Sequence, residues 1–399
     1  MHSADVPSRA RVRLAWRILV LVLALGSLPG FLPAQAGAAR AAAPAAAASR
    51  VQAWLDSLRA ARRIPGLSVA VVFADGATLA LTSGFADTAA RTPLRSSDRL
   101  MQGSVGKTYV AAVALQLVAE GKLALDDPIA KHLGREPWFD RLPNARTITV
   151  RQLMRHTSGL VRYEFDPDFV RDLTAQPDRT WTPEERLAYL FDAKAPFAAG
   201  EGWEYSDTNY IVLGMILERI TGQPYYDELR RRILRPLALG NTVPTDGPRV
   251  PGLAQGYAGP DNPFGGRDAM LVDGRFSINP QLEWTGGGLA STTLDLARWG
   301  KLLYEGRAFD RTLLPTMLDA VPARLGPDVR YGLAVMIRPT PFGTAWGHGG
   351  FFPGYLTELM YFPERQVSIA LQVNTSAGGV LGKAPARLLL DLAAVVFGG

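Results

Sequence analysis

Apolar and polar positions change texture along this chain. Val51, Leu55 and Leu58 share one helical stripe, and Leu67 to Phe73 (LSVAVVF) is a continuous apolar run of strand length. Ala74-Asp75-Gly76 is a turn signal, after which Leu79 to Thr82 supplies the second arm of a hairpin. From Val105 to Glu120 the apolar spacing is helical, and Gly121 stops it. Thr182-Pro183-Glu184-Glu185 is a helix start, with a capping Thr, Pro in the first turn and acidic residues at the positive end. Asn209 to Ile220 and Thr293 to Tyr304 are further helices. Beyond Tyr331 the pattern returns to strands: Leu333 to Arg338, Thr344 to His348, Leu356 to Phe362 and Val367 to Val373, with a closing helix from Pro385 to Phe397. Strands at both ends with helices between predict a discontinuous α/β domain and an inserted all-helical one. The α/β part covers about 51–105 and 320–399, and the helical part about 106–319. There is no internal repeat.

The N-terminus has a different character. Arg9, Arg11, Arg13 and Arg17 precede the apolar run Ile18 to Leu28, and Ala34-Gln35-Ala36 is an A-x-A site. A basic region, an apolar region too short for a span and a small-residue cleavage site predict a signal peptide over 1–36. The mature chain is then periplasmic or secreted and has no stable membrane span. Residues 37–50, almost all alanine, read as a low-complexity spacer, with ordered structure from about Val51. The chain's formal charge of +6 includes +3 from residues 1–36, so no basic block is left to bind nucleic acid.

Composition narrows the chemistry. Cysteine is absent, which excludes a disulfide framework, a Cys nucleophile and a Cys-based metal site. The four histidines (His2, His132, His156, His348) are too few for an expected metal site, and no cofactor motif is present. Gly103-Ser104-Val105-Gly106-Lys107-Thr108 looks like the end of a phosphate-binding loop, but Met101 stands where that motif needs glycine. The other reading is Ser-x-x-Lys at a helix start. One turn brings Lys107 beside the Ser104 hydroxyl, and a serine becomes a useful nucleophile only when a neighbour takes its proton. The chain has six lysines against 37 arginines, so a Lys here points to a group that can lose its proton.

Met101 to Pro128 (MQGSVGKTYVAAVALQLVAEGKLALDDP) resembles the nucleophile helix of the serine β-lactamase and penicillin-binding-protein superfamily. Ile148 to Leu160 (ITVRQLMRHTSGL), Tyr205 to Tyr210 (YSDTNY), Gly286 to Thr292 (GGGLAST) and Gly347 to Tyr355 (GHGGFFPGY) are similar to further motifs of its class C and D,D-peptidase branch, in order. The resemblance runs from about 50 to 399. It implies a β-lactamase-like α/β fold, an antiparallel sheet flanked by helices with an inserted helical domain.

It also implies site roles. Ser104 is the nucleophile and Lys107 its proton-network partner. Tyr205 is the base for acylation and the acid for the leaving group, with Lys107 as the cation that lowers its pKa. Phe351 N–H joins Ser104 N–H in the oxyanion hole. His348, where K-T-G is usual, lines the pocket opposite Tyr205, and Gly349 and Gly350 let the substrate backbone approach. Asp207 replaces an Asn whose amide usually holds substrate; a carboxylate cannot donate that bond, which leaves its role open. His156 and Ser158 are read as a cap and a turn, and His132 as surface. The implied activity is a serine hydrolase forming an acyl-Ser104 intermediate from a small-molecule or peptide ester or amide, of esterase, D,D-peptidase or D-aminopeptidase type. A class C-like β-lactamase and a non-catalytic penicillin-binding or sensor module are the alternatives.

Overall fold

The computed structural model describes residues 34–260, 262–264 and 267–398, with side chains from residue 47 onward. The signal-peptide reading falls largely on residues 1–33, outside the described residues. The chain divides into units 1–41 and 42–399; of the first only residues 34–41, part of a helix, are described, and the sheet and the site belong to the second.

Helix α1 is Ala34–Arg62. The expected spacer over 37–50 is therefore helical rather than a prelude to ordered structure near Val51. Alanine loses the least on entering a helix and needs no apolar–polar periodicity to do so. Strands β1 (Gly66–Val72), β2 (Thr78–Asp87) and β3 (Thr92–Pro93) come next. Near the other end of the chain lie β4 (Val321–Pro322), β5 (Arg330–Tyr331), β6 (Met336–Thr340), β7 (Gly343–Phe352), β8 (Tyr355–Phe362) and β9 (Val367–Val373). Together they form one nine-stranded sheet in the order β3-β2-β1-β9-β8-β7-β6-β5-β4. Every pairing is antiparallel, with Leu67 opposite Val373 where the two ends of the chain meet. The expected strand at Leu333 begins three residues later, because Ala334 sits at φ 59, outside the strand region.

Alternation along the central strands feeds two cores. Leu67, Val69, Val71, Ile369, Leu371 and Val373 face α1 and the closing helix Pro385–Phe397. Ala70, Leu359, Tyr361 and Ala370 face the helical half of the molecule. Because both faces are covered, the central strands are predominantly apolar, with the few polar residues among them, such as Ser68, Thr357 and Gln372, buried.

The helical half is organised by α2 (Lys107–Ala119), entered through a 3₁₀ turn Gly103–Gly106, and by a later helix Thr208–Thr221. Both are buried nearly all round, which is why their sequences show a continuous apolar texture rather than one stripe. The 3₁₀ turn is pressed against β7. A Cβ on Gly350 would lie 1.9 Å from the Gln102 carbonyl oxygen, and one on Gly103 would lie 2.4–2.7 Å from the Phe351 backbone. These glycines bring the Ser104 backbone against the strand edge. The helix Thr293–Tyr304 lies between sheet and α2, where Trp299 stacks on Tyr109 with centroids 4.0 Å apart and donates to Thr108 Oγ1 at 2.7 Å. Among the described residues no helix is long and apolar enough to cross a membrane.

Candidate active site

Ser104 lies in the 3₁₀ turn before α2, half-exposed among buried neighbours. Lys107, at the first position of α2, is fully buried and donates from Nζ to Ser104 Oγ at 2.8 Å. Its ammonium also donates to the Gly286 carbonyl and pairs with Asp207 Oδ1 at 2.6 Å. Gly286 ends the segment Pro280–Gly286, within which buried Trp284 is held at φ 39, ψ −118, a strained conformation for a non-glycine residue. Asp207, two residues after Tyr205, stands immediately before the helix Thr208–Thr221, and its side chain makes no capping bond to that helix.

Burial alone would lower the Lys107 pKa, but Asp207 and Tyr205 outweigh it and the net direction is upward. At rest Lys107 is therefore an ammonium with three acceptors, not the readily deprotonated lysine that its choice over arginine suggests. Asp207, resisted by its own burial, is held below the usual carboxylate range by Lys107 and Arg162. Its role is therefore counterion to Lys107, which an Asn could not fill.

The Tyr205 ring lies between two cations, with Lys107 Nζ 5.0 Å and Arg162 Cζ 5.5 Å from its centroid. The expected lowering of its pKa does not result. Burial and Asp207 raise it, and together they exceed the opposing pull of Lys107 and Ser104. Tyr205 at rest is a neutral phenol beside the Ser104–Lys107 pair. A neutral phenol can donate its proton at one side while accepting one at the other. Replacing Asp207 by Asn removes the charge that raises both Lys107 and Tyr205, so both should titrate at lower pH. The alkaline limb of the kcat/KM–pH profile should move down by about 1–3 units in Asp207→Asn. A limb that stays fixed or moves up would show that Asp207 does not set the charge state of this pair.

His348 is fully buried on β7, its ring centroid 6.1 Å from that of Tyr205. Nδ1 contacts the Gly349 carbonyl at 2.6 Å, which assigns the proton to Nδ1 because a carbonyl only accepts. Nε2 therefore accepts from Tyr331 Oη at 2.8 Å. Tyr331 in turn accepts from His156 Nε2 at 3.2 Å, and His156 Nδ1 accepts from Ser206 N–H at 3.2 Å and Asn209 Nδ2 at 3.0 Å. Burial, then Lys107, push His348 down to about 3, so the ring is neutral, and burial depresses His156 as well. Tyr331→Phe would leave one imidazole lone pair without a donor and one N–H without an acceptor. It should cost about 1–3 kcal/mol of stability, read by urea denaturation. A loss below about 0.5 kcal/mol, the range of ordinary surface substitutions, would mean that the chain of bonds is not formed.

Phe351 is 38% exposed and shares with Ser104 a narrow cleft bordered by Arg162, Glu164, Asp207 and Glu283. Its backbone lies against Gly103, next to the Ser104 backbone. A Cβ on Gly349 would lie 3.0 Å from Glu358 Oε2 and one on Gly350 1.9 Å from the Gln102 carbonyl oxygen, so both glycines are called for by close packing within the protein. Elsewhere, His156 caps the helix Val150–Arg155 at φ 61 and Ser158 Oγ accepts from Leu160 N–H, a cap and a turn as expected. His132 is not a surface residue: its side chain is largely covered, with Nε2 3.4 Å from Asp127 Oδ2. Arg162, Glu164, Glu283 and Tyr331 carry no motif signal. They reach the site from separate segments, and only Arg162 and Glu164, close behind the HTSGL segment, lie near one.

A serine one turn before a buried lysine, a tyrosine from the second segment and a glycine-lined strand edge define the site of a β-lactamase-fold serine hydrolase. The Beta-lactamase family model matches residues 51–394, and the chain belongs to that family. It is 30% identical to penicillin-binding protein 4 of Amycolatopsis lactamdurans over 316 residues, 75% of this chain and 74% of that one. It is 35% identical to the esterase EstB of Burkholderia gladioli over 204 residues, 49% of this chain and 51% of the relative. Among solved structures, a D-stereospecific amidohydrolase from Streptomyces sp. superposes with a TM-score of 0.72 at 29% identity, covering 84% of this chain and 99% of that one. The D-amino acid amidase of Ochrobactrum anthropi SV3 complexed with D-phenylalanine gives 0.74 at 26% identity, covering 88% and 99%. The protein is a serine hydrolase acting on ester or amide bonds.

Proposed function

We propose that the protein cleaves small esters or D-amino-acid amides through an acyl-Ser104 intermediate, after export to the periplasm or the medium. The observation that carries this reading is the buried Lys107 ammonium on Ser104 Oγ, with the Tyr205 phenol beside both. Ser104 Oγ bonds to the substrate carbonyl carbon as its proton passes to Tyr205. Tyr205 gives its own proton to the departing oxygen or nitrogen, and water then releases the acyl group by the reverse relay. Ser104 and Phe351 N–H groups would hold the carbonyl oxygen as it gains charge. Support for export lies in the basic, apolar and A-x-A order of residues 9–36.

The third motif bears on substrate choice. Class C β-lactamases have a lysine where this chain has His348, whose ring is neutral and engaged at both nitrogens. The nearby Arg162 is engaged by Glu164 at 2.6 Å. A β-lactam carboxylate therefore lacks a charge-assisted partner worth about 1.5–3 kcal/mol, or at least about tenfold in rate. The mature chain, tested on p-nitrophenyl butyrate, D-alanyl-D-alanine peptides and nitrocefin, should turn over the ester with the larger kcat/KM than nitrocefin. A larger value for nitrocefin would make it a β-lactamase. A single burst without turnover on all three would make it a penicillin-binding module.

A further inference from the structure

The cleft that opens on Ser104 carries more acid than its cations can neutralise. Two fixed cations, Lys107 and Arg162, face three carboxyls, Asp207, Glu164 and Glu283. Asp207 is the partner of Lys107, and Glu164 Oε1 is the partner of Arg162 Nε at 2.6 Å. Glu283 has neither: among the described residues its carboxyl makes no hydrogen bond or ion pair, although the residue is only 8% exposed and borders the cleft. A buried carboxyl without a partner costs free energy, and native structures keep such groups where something else satisfies them. Burial, together with Asp207 and Glu164, pushes Glu283 well above the usual carboxylate range, with Lys107 pulling the other way. Burial and Asp207 likewise push Glu164 up to about 7. At rest, then, a proton stands in for the missing cation. The three carboxyls do not form a group able to hold a metal ion among the described residues.

Apolar surface lies alongside the acid. Phe165 is 45% exposed and stacks on Phe264 with centroids 6.1 Å apart, and both border the cleft with Phe351. An occupant of this cleft therefore meets an aromatic rim, a buried acid short of one positive charge and the Ser104 hydroxyl.

We infer that Glu283, supported by Glu164, forms a subsite for a primary ammonium group, so that the preferred substrates are amides or esters whose acyl part carries a free amine and an aromatic or bulky apolar side chain. This rests on the reading of Ser104 as the acylated nucleophile. The ammonium replaces the proton on the acid pair and brings the number of cations level with the number of carboxylates. Its hydrogen bonds go to a carboxyl already stripped of water, where such bonds are strong. Binding there also fixes the scissile carbonyl relative to Ser104, so the subsite acts on kcat/KM.

The test compares the p-nitroanilides of D-phenylalanine and N-acetyl-D-phenylalanine on the wild-type protein, with p-nitrophenyl butyrate as a substrate lacking an amine. The free amine should exceed its acetylated partner at least tenfold in kcat/KM, and Glu283→Gln should bring that ratio close to one. A second measurement needs no variant. 2-Phenylethylamine should inhibit butyrate hydrolysis competitively at a concentration at least tenfold lower than 2-phenylethanol, which has the same shape without the charge. Butyrate hydrolysis with an acetylated substrate as good as the free amine, and with amine and alcohol inhibiting alike, overturns the subsite alone. Absence of hydrolysis on every substrate, with no label on Ser104, overturns the hydrolase reading beneath it.

Discussion

Lys107→Arg should lose about a thousandfold in kcat/KM, nearly as much as Lys107→Ala, although the charge is kept. The ammonium is fully buried and spends its donors on three acceptors in different directions: Ser104 Oγ, the Gly286 carbonyl and Asp207. Tyr205 and Tyr210 crowd it, with ring centroids 5.0 and 5.6 Å from Nζ. A guanidinium is planar and wider, and its donors fork in one plane, so it cannot reach all three from the same point. Forcing it in would displace Tyr205 or the Gly286 segment, whose carbonyl is already positioned by the strained Trp284 backbone. Steady-state kinetics on a chromogenic ester measure this directly. Activity of Lys107→Arg within about tenfold of wild type would show that positive charge suffices and that this geometry is not needed.

The contrast between the readable and unreadable parts of the site follows from how each is built. Ser104 and Lys107 are legible because one helical turn joins them, and local spacing becomes local distance. Tyr205, Asp207 and His348 are legible as positions in ordered motifs. Their charge states are not. Sequence places Lys107 beside Tyr205 but says nothing about the burial and the Asp207 carboxylate that reverse the direction of the Tyr205 shift. In the same way Asp207 reads as a substitution for Asn, and only the 2.6 Å pairing shows what it replaces that amide's role with. Tyr331, on a two-residue strand, has no local pattern, and its bridge between two histidines 175 and 17 residues away exists only in the folded sheet.

Much of the fold is legible for the opposite reason. The strands buried on both faces are dominated by apolar residues, and Val367–Val373, like the helices Thr293–Tyr304 and Pro385–Phe397, appears with the boundaries expected. The alanine-rich segment escapes a criterion of periodicity, because polyalanine is helical by backbone propensity without any. The start of β6 escapes as well, since a positive φ at Ala334 has no residue signature, alanine being no habitual occupant of that region.

The proposed mechanism stands on Ser104 as the residue acylated. Ser104→Ala removes the only atom on which the Lys107–Tyr205 pair can act, so hydrolysis should fall on the order of 10⁵-fold, to the level set by substrate binding alone. The most direct measurement is the mass of the protein after a fluorophosphonate probe, followed by fragmentation of the modified peptide. One adduct is expected, on the peptide containing Ser104, and none in Ser104→Ala. An adduct on Ser158 or another serine, undiminished in Ser104→Ala, would contradict the account.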